Sequence, residues 1–176
     1  MATLSPGTAA DAPRLLDFVE PGEAALFRPI DDVVMGGVSH SRFEQAEPGI
    51  ARFYGEVSLE QGGGFASVRS PPRDWATSGA SALLLRVRGD GKRYKLTLRT
   101  DDGFDGVQYQ QHFTAPAGKW KALRLPMTDF APSFRGRPVP GAPPLDPERI
   151  RAIGFMISDR QAGAFELLVD WIAVER

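Results

Sequence analysis

The sequence predicts an all-β protein: a two-sheet jelly-roll sandwich of about ten short antiparallel strands. Three observations point there. Apolar and polar side chains alternate with period 2 along many stretches, while helical periodicity hardly appears. Glycine and proline are plentiful, 19 and 15 among 176 residues, which implies many turns between short elements. Turn-forming clusters also punctuate the alternation, at 47–49, 61–64, 88–93, 101–106 and 116–119.

In chain order, residues 1–13 are small and proline-bearing and read as a flexible tail before a single domain over 14–176. Strands are expected at 14–19, 38–45, 50–59, 65–70 and 82–88. In the next one, Tyr94, Leu96 and Leu98 face one way and Lys95, Thr97 and Arg99 the other. Val107, Tyr109, Gln111 and Phe113 then share a face opposite Gln108, Gln110 and His112, and a strand follows at 119–125. The prolines of FAPSFRGRPVPGAPPLDPER, 130–149, exclude a central strand and leave a long connection, in which Asp146 and Pro147 suit the start of one helical turn. Ile153, Phe155 and Ile157 line up in a further strand. In the last, Phe165, Leu167, Val169 and Trp171 oppose Glu166 and Asp170. Leu168, Ile172 and Val174 fall on the second face, so this strand is expected to be covered on both sides.

Composition removes several function classes. With no cysteine, disulfides, thiolate nucleophiles and Cys-ligated metal centres are excluded. A net charge of −1 with interspersed signs lacks the basic stripe of a nucleic-acid binder. No apolar run approaches the roughly 20 residues of a membrane span, and the N-terminus lacks a secretory pattern. Asp101, Asp102 and Asp105 with Gly106 resemble the start of a calcium loop, but His112 stands where an EF-hand needs Glu, so an EF-hand is excluded. Gly62–Gly64 lacks the Lys-Ser/Thr of a phosphate loop, and no Ser sits in a nucleophile elbow. Adjacent Asp31 and Asp32 point to opposite sides of an extended backbone, which is the wrong arrangement for a glycosidase pair. No cofactor and no metal site is nominated by these patterns, while a calcium site of another kind at the acidic turn and a hydrolase using Asp31 or Asp32 beside a second carboxylate stay open.

Binding candidates remain. In DDVVMGGVS, one of Asp31 and Asp32 is expected to accept backbone N–H bonds from the following turn. Met35 fills a gap, Gly36 and Gly37 permit left-handed backbone or close approach, and Ser39 opens the next strand. Gly63 and Gly64 belong to a second displayed loop. Phe104, Tyr109, Phe113 and Trp120 are candidates to lie side by side on one sheet. Tyr109 and Gln111 are the binding candidates among the aromatic and glutamine residues there, with Gln108 and Gln110 on the same strand. Arg135 and Arg137 suit bidentate pairing with acidic groups of a partner.

Five motifs follow one another in order: DDVVMGGVS, QGGGFASVRS, RGDGKRYKLTLR, KWKALRLPMTDFAPSFRGR and IGFMISDRQAGAFELLVDWI. Together they resemble the complex I intermediate-associated protein 30 family over about residues 18–174. The resemblance implies a galactose-binding-domain-like sandwich and a non-enzymatic assembly factor or chaperone. The implied partners are subunits or assembly intermediates of respiratory complex I (NADH:ubiquinone oxidoreductase), with neither nucleic acid nor direct membrane insertion. It brings no catalytic residues. With no transit peptide in view, the chain reads as a bacterial cytoplasmic protein, held at the inner membrane through a partner. The alternative on the same fold is a carbohydrate-binding module with a sugar as partner.

Overall fold

The period-2 stretches become strands that bury one face each. The computed structural model describes residues 2–3, 9 and 11–176, and for 2, 3, 34 and 35 the backbone alone. The strands are β1 (Ala2–Thr3), β2 (Arg14–Leu16), β3 (Arg28–Pro29), β4 (His40–Glu47), β5 (Ile50–Val57), β6 (Ala66–Arg69) and β7 (Ala82–Arg88). They continue as β8 (Arg93–Arg99), β9 (Gln108–Thr114), β10 (Lys121–Pro126), β11 (Ala131–Phe134), β12 (Arg137–Pro138), β13 (Ala152–Ile157) and β14 (Gly163–Glu175). The first sheet runs β1-β10-β7-β14-β5-β4, with β2 paired to the end of β14; the second runs β12-β11-β9-β8-β13-β6-β3. The strand pairs within both sheets are antiparallel, so the all-β two-sheet sandwich is the observed architecture.

The expected strands correspond to β2, β4 to β10, β13 and β14. The unforeseen β1, β3, β11 and β12 are short and lie at or beside sheet edges. Pro29, Pro132 and Pro138 sit in three of them, where a missing N–H costs little. The 130–149 connection is thus ordered along the rim of the second sheet. Tyr109 donates its hydroxyl to Pro143 O at 2.7 Å, and Thr77 donates to Pro147 O at 2.6 Å. As expected, Asp146 caps a single 3-10 turn, Pro147–Arg149, by accepting Glu148 N–H. A short helix, α1 (Pro21–Ala25), also escaped the pattern, being too short for any periodicity to show.

Between the sheets, Leu83, Leu85 and Val87 of β7 and Leu167 and Val169 of β14 meet Tyr94, Leu96 and Leu98 of β8. Aromatic rings fill one end of this core. Phe155 stacks on Phe43 at 5.7 Å between centroids and lies 6.3 Å from Phe27 and 6.4 Å from Phe53. This places Phe155 at the meeting point of β4, β5 and β13.

β14 departs from simple alternation. Its register against β7 shifts between Val169 and Trp171, a bulge at Asp170, whose carboxylate pairs with Arg86 at 2.7 Å. The extra residue flips the parity. Phe165, Leu167 and Val169 face the core, and beyond the bulge Ile172 and Val174 take that face, while Trp171 and Ala173 turn outward. The expectation that Trp171 shares a face with Val169 is corrected accordingly. The outward pair forms a second small cluster with Ala82, Leu84 and Ala9, and the Arg14 guanidinium lies 3.9 Å over the Trp171 ring. Of the 1–13 segment read as a tail, residues 1, 4–8 and 10 lie outside the described residues; Ala9 and Ala12 pack on this cluster.

Because Phe155 is fully buried among three other phenylalanines, Phe155→Ala should lower unfolding free energy by about 3–5 kcal/mol. The denaturant midpoint should fall while the folded β-sheet circular dichroism spectrum is retained.

Candidate binding cleft and its carboxylate clamp

Asp31 is extended and Asp32 opens a 3-10 turn, Asp32–Met35, so the two carboxylates diverge as the sequence implies. Each gathers donors from distant segments. Asp31 accepts from Ser41 N at 3.0 Å, Ser41 Oγ at 2.6 Å and Ser67 N at 3.0 Å. Ser41 lies near the start of β4 in the first sheet and Ser67 in β6 of the second, so this one side chain pins the sheets together at an edge. Asp32 is 1% exposed and accepts from Ser39 N at 2.9 Å, Ser39 Oγ at 2.6 Å and Gly64 N at 2.7 Å. Ser39 Oγ in turn accepts Ser58 N–H at 2.9 Å. The DDVVMGGVS and QGGGFASVRS motifs are therefore one physical unit.

The glycines follow from the carboxylate. A Cβ on Gly37 would sit 2.4 Å from Asp32 Cγ, and one on Gly63 2.4 Å from Asp32 Oδ2. Gly36 differs. It adopts φ 89° to end the 3-10 turn, and a Cβ there would meet nothing within 4 Å. Ionisation of the two acids also separates. Burial raises the pKa of Asp31 above its ordinary value, only partly offset by the Ser41 and Ser67 hydrogen bonds. Burial pushes Asp32 the same way, but the bonds from Ser39, Gly64 and Phe65 outweigh it and hold its carboxyl below the usual range.

Beside this clamp lies a cleft of about 510 Å³ over the outer face of the second sheet, within the range of ligand sites. Its floor comes from side chains opposite the core: Lys95 and Thr97 of β8, Gln108 and Gln110 of β9, and Met156 of β13. Loops around 62–65, 104–106, 135–136 and 158–160 form its rim. Arg99, 2% exposed, organises one wall. Its Nη2 donates to Asp101 Oδ1, Gly103 O and Asp105 O at 2.7, 2.9 and 2.9 Å. Asp105 pairs with Arg135 at 2.5 Å, which holds its carboxyl below the ordinary value. At the other end, Asp159 meets Arg93 at 2.8 Å, His112 Nε2 at 3.2 Å and Lys95 at 3.6 Å. Burial opposes its ionisation, yet the surrounding cations keep its pKa low.

The structure sorts the sequence candidates. Asp32, Gly63, Gly64 and Arg135 come together at the cleft. Asp31, Gly37 and Ser39 support it from behind through the clamp. The Met35 side chain lies outside the described residues. Arg137 is exposed in edge strand β12, away from the cleft lining. Tyr109 and Gln111 are corrected: both point inward, Tyr109 at 4% and Gln111 at 9% exposure, because they share the parity of Phe113. The imagined aromatic strip does not exist. Phe113 is core, Trp120 lies under Arg86 beside the first sheet, and Phe104 stands exposed on a rim loop. Sequence reasoning missed Arg69, Lys95, Thr97, Arg99 and Ser158 as cleft residues. The polar face of β8 was the available signal; that loops rise around it was not.

Two consequences are measurable. Gly63→Ala should destabilise by about 2–4 kcal/mol, since it displaces a buried hydrogen-bonded carboxylate, whereas Gly36→Ala should cost only about 1–2 kcal/mol of left-handed backbone. Both can be read from urea denaturation. The pH dependence should differ in sign between the acids. The stability held by Asp32 is present above its unfolded pKa and lost as pH falls through its depressed folded value. That of Asp31 is largest below its unfolded pKa and lost as pH rises through its raised folded value. On acidification the stability gap between native protein and Asp32→Asn should narrow, and the gap to Asp31→Asn should widen.

Among known proteins, a model of the complex I intermediate-associated protein 30 family matches residues 16–169. An uncharacterized protein of Schizosaccharomyces pombe is 30% identical over 166 residues, covering 83% of this chain and 76% of that protein. Mitochondrial proteins named complex I intermediate-associated protein 30 are 35% identical in Mus musculus, over 57% of this chain, and 28% identical in Neurospora crassa, over 88%. The chain spans only 31% and 60% of the length of those two relatives. Among solved structures, a family 11 carbohydrate-binding module from Clostridium thermocellum, in complex with a mixed-linked tetrasaccharide, has the same fold. Its TM-score is 0.65 at 16% identity, over 92% of this chain and 94% of that one. The matched model covers nearly the whole sandwich, clamp and cleft included: the chain belongs to the complex I intermediate-associated protein 30 family.

Proposed function

We propose that the protein is a binding protein without turnover that holds an assembly intermediate of respiratory complex I through the cleft and its rim loops. One observation carries the reading: the adjacent motif acids Asp31 and Asp32 are engaged with backbone and serine donors that tie together the segments beside the cleft. A carboxylate so employed serves geometry. Exposed apolar side chains on the rim and on segments next to it add surface suited to a protein partner. Val33 and Val38 are exposed in the 31–39 turn, Phe104 in the 101–106 turn and Phe134 before Arg135. The relatives named for complex I intermediates supply the partner class. On this reading the protein is found at the membrane surface only while its partner is there. Among the described residues, no helix is long and apolar enough to cross a membrane.

The carbohydrate-binding alternative draws on the fold shared with the tetrasaccharide-bound module. It is the weaker reading, because a sugar face needs a flat aromatic platform, whereas Tyr109 is turned into the core and the rings that line the cleft, Phe65 and Phe104, stand in its rim loops and not on its floor.

Affinity capture from native membranes under mild detergent should recover complex I subunits together with the protein. Cells lacking it should accumulate partly built complex I on native gels. Recovery of no complex I subunit, with complex I maturing normally in its absence, would overturn the proposal.

A further inference from the structure

The cleft is chemically unbalanced. Its lining carries the cations Lys95, Arg69, Arg99, Arg135 and Arg160 against the carboxylates Asp32, Asp105 and Asp159. Those three acids are all engaged, in the clamp, with Arg135, and with Arg93, Lys95 and His112. Arg99 has Asp101. Among the described residues, Arg69 and Arg160 have no carboxylate within salt-bridge distance. Arg69 is half-buried, and its one hydrogen bond is to Phe104 O at 2.7 Å. Burial first, and then the charge of Arg99, depress its pKa, so a bound anion would relieve it.

Uncharged groups in the cleft are also unmatched. Gln110 Oε1 and Ser158 Oγ are shielded from solvent yet have no hydrogen-bond partner among the described residues. Gln110 pairs across the sheet with Thr97, Thr97 with Gly154, and Gly154 with Arg69. One rung therefore runs from the orphan acceptor to the unpaired guanidinium, with only a threonine and a glycine between them. With strands about 4.8 Å apart, Gln110 and Arg69 stand ~14 Å from each other, a width crossed by about four residues of extended chain.

We infer that the cleft binds an extended acidic segment of the partner protein, lying across the strands with one carboxylate on Arg69 and a backbone amide on Gln110, and with a second carboxylate reaching the loop that carries Ser158 and Arg160 at the other end of the cleft. The inference rests on the protein-partner reading above and adds where and by what chemistry the partner is gripped. A peptide suits the rung because it supplies both N–H donors for Gln110 and a side-chain anion. A neutral sugar would leave Arg69 unmatched and find no aromatic ring on the floor.

The test is fluorescence anisotropy with a labelled octapeptide library in which each member carries two acidic residues, beside a matched library bearing the amides instead. The acidic library should bind saturably, weaken with added salt and lose at least tenfold affinity in Arg69→Gln and in Gln110→Ala. Arg160→Gln, an exposed loop change that leaves the core untouched, should weaken it severalfold and secures the test if Arg69→Gln folds poorly. Equal binding of the two libraries, unchanged affinity in the variants, or binding of mixed-linked glucan oligosaccharides in place of peptide would each overturn the inference. If native protein and Arg69→Gln capture complex I subunits equally, the cleft inference falls and the assembly reading stands. If the acidic library binds as described but no subunit is captured, the assembly reading falls instead.

Discussion

Two adjacent carboxylates at the seam between the sheets organise everything that follows in this molecule. Asp31 joins the start of β4 to β6, and Asp32 draws the 61–65 loop against the 31–39 turn. A sandwich is stable through apolar burial between its layers, but that burial does not dictate how loops at one edge stand. Buried carboxylates saturated with N–H and O–H donors do, because each lost donor leaves an uncompensated charge. The glycines of both motifs are consequences, since the carboxylate occupies the space a Cβ would need at Gly37 and Gly63.

The same logic extends along the second sheet. Its outer face holds polar residues that in an ordinary solvated sheet would be fully exposed, yet Thr97 and Arg99 are buried. Arg99 is tied to the 101–106 turn, Arg135 to Asp105, and Lys95 to Asp159. These exposed or partly exposed ion pairs contribute little stability individually. Their role is positional: they raise loops around the polar floor and use up its carboxylates, leaving cations unmatched. The fold shared with a sugar-binding module says nothing against this, because ligands are chosen by side chains displayed on a scaffold.

Where the sequence misled, the cause was parity or distance. Tyr109 and Gln111 looked like surface groups by residue type, but they alternate with Gln108 and Gln110 and share the face of Phe113, which is core. The grouping was legible; which side of it faced inward depended on the rest of the second sheet. Trp171 was assigned by unbroken alternation, and the Asp170 bulge, invisible in the residue pattern, reversed every side chain beyond it. The prolines of 130–149 bar a long central strand, and what forms there is the two-residue edge strand β12 and the four-residue β11 beside it.

By itself the sequence determined the all-β class, most of the strands, which side chains share a face along β8, β9 and β13, and the family, because these depend on local alternation and on ordered motifs. It also implied that Asp31 and Asp32 diverge, since adjacent residues on extended backbone must. Only the tertiary structure decided that Asp32 meets Gly64, that Arg69 faces Gln110 across one rung, and that the polar floor is walled by four loops. Those relations join residues tens of positions apart through strand register and sheet order, and no local pattern encodes either.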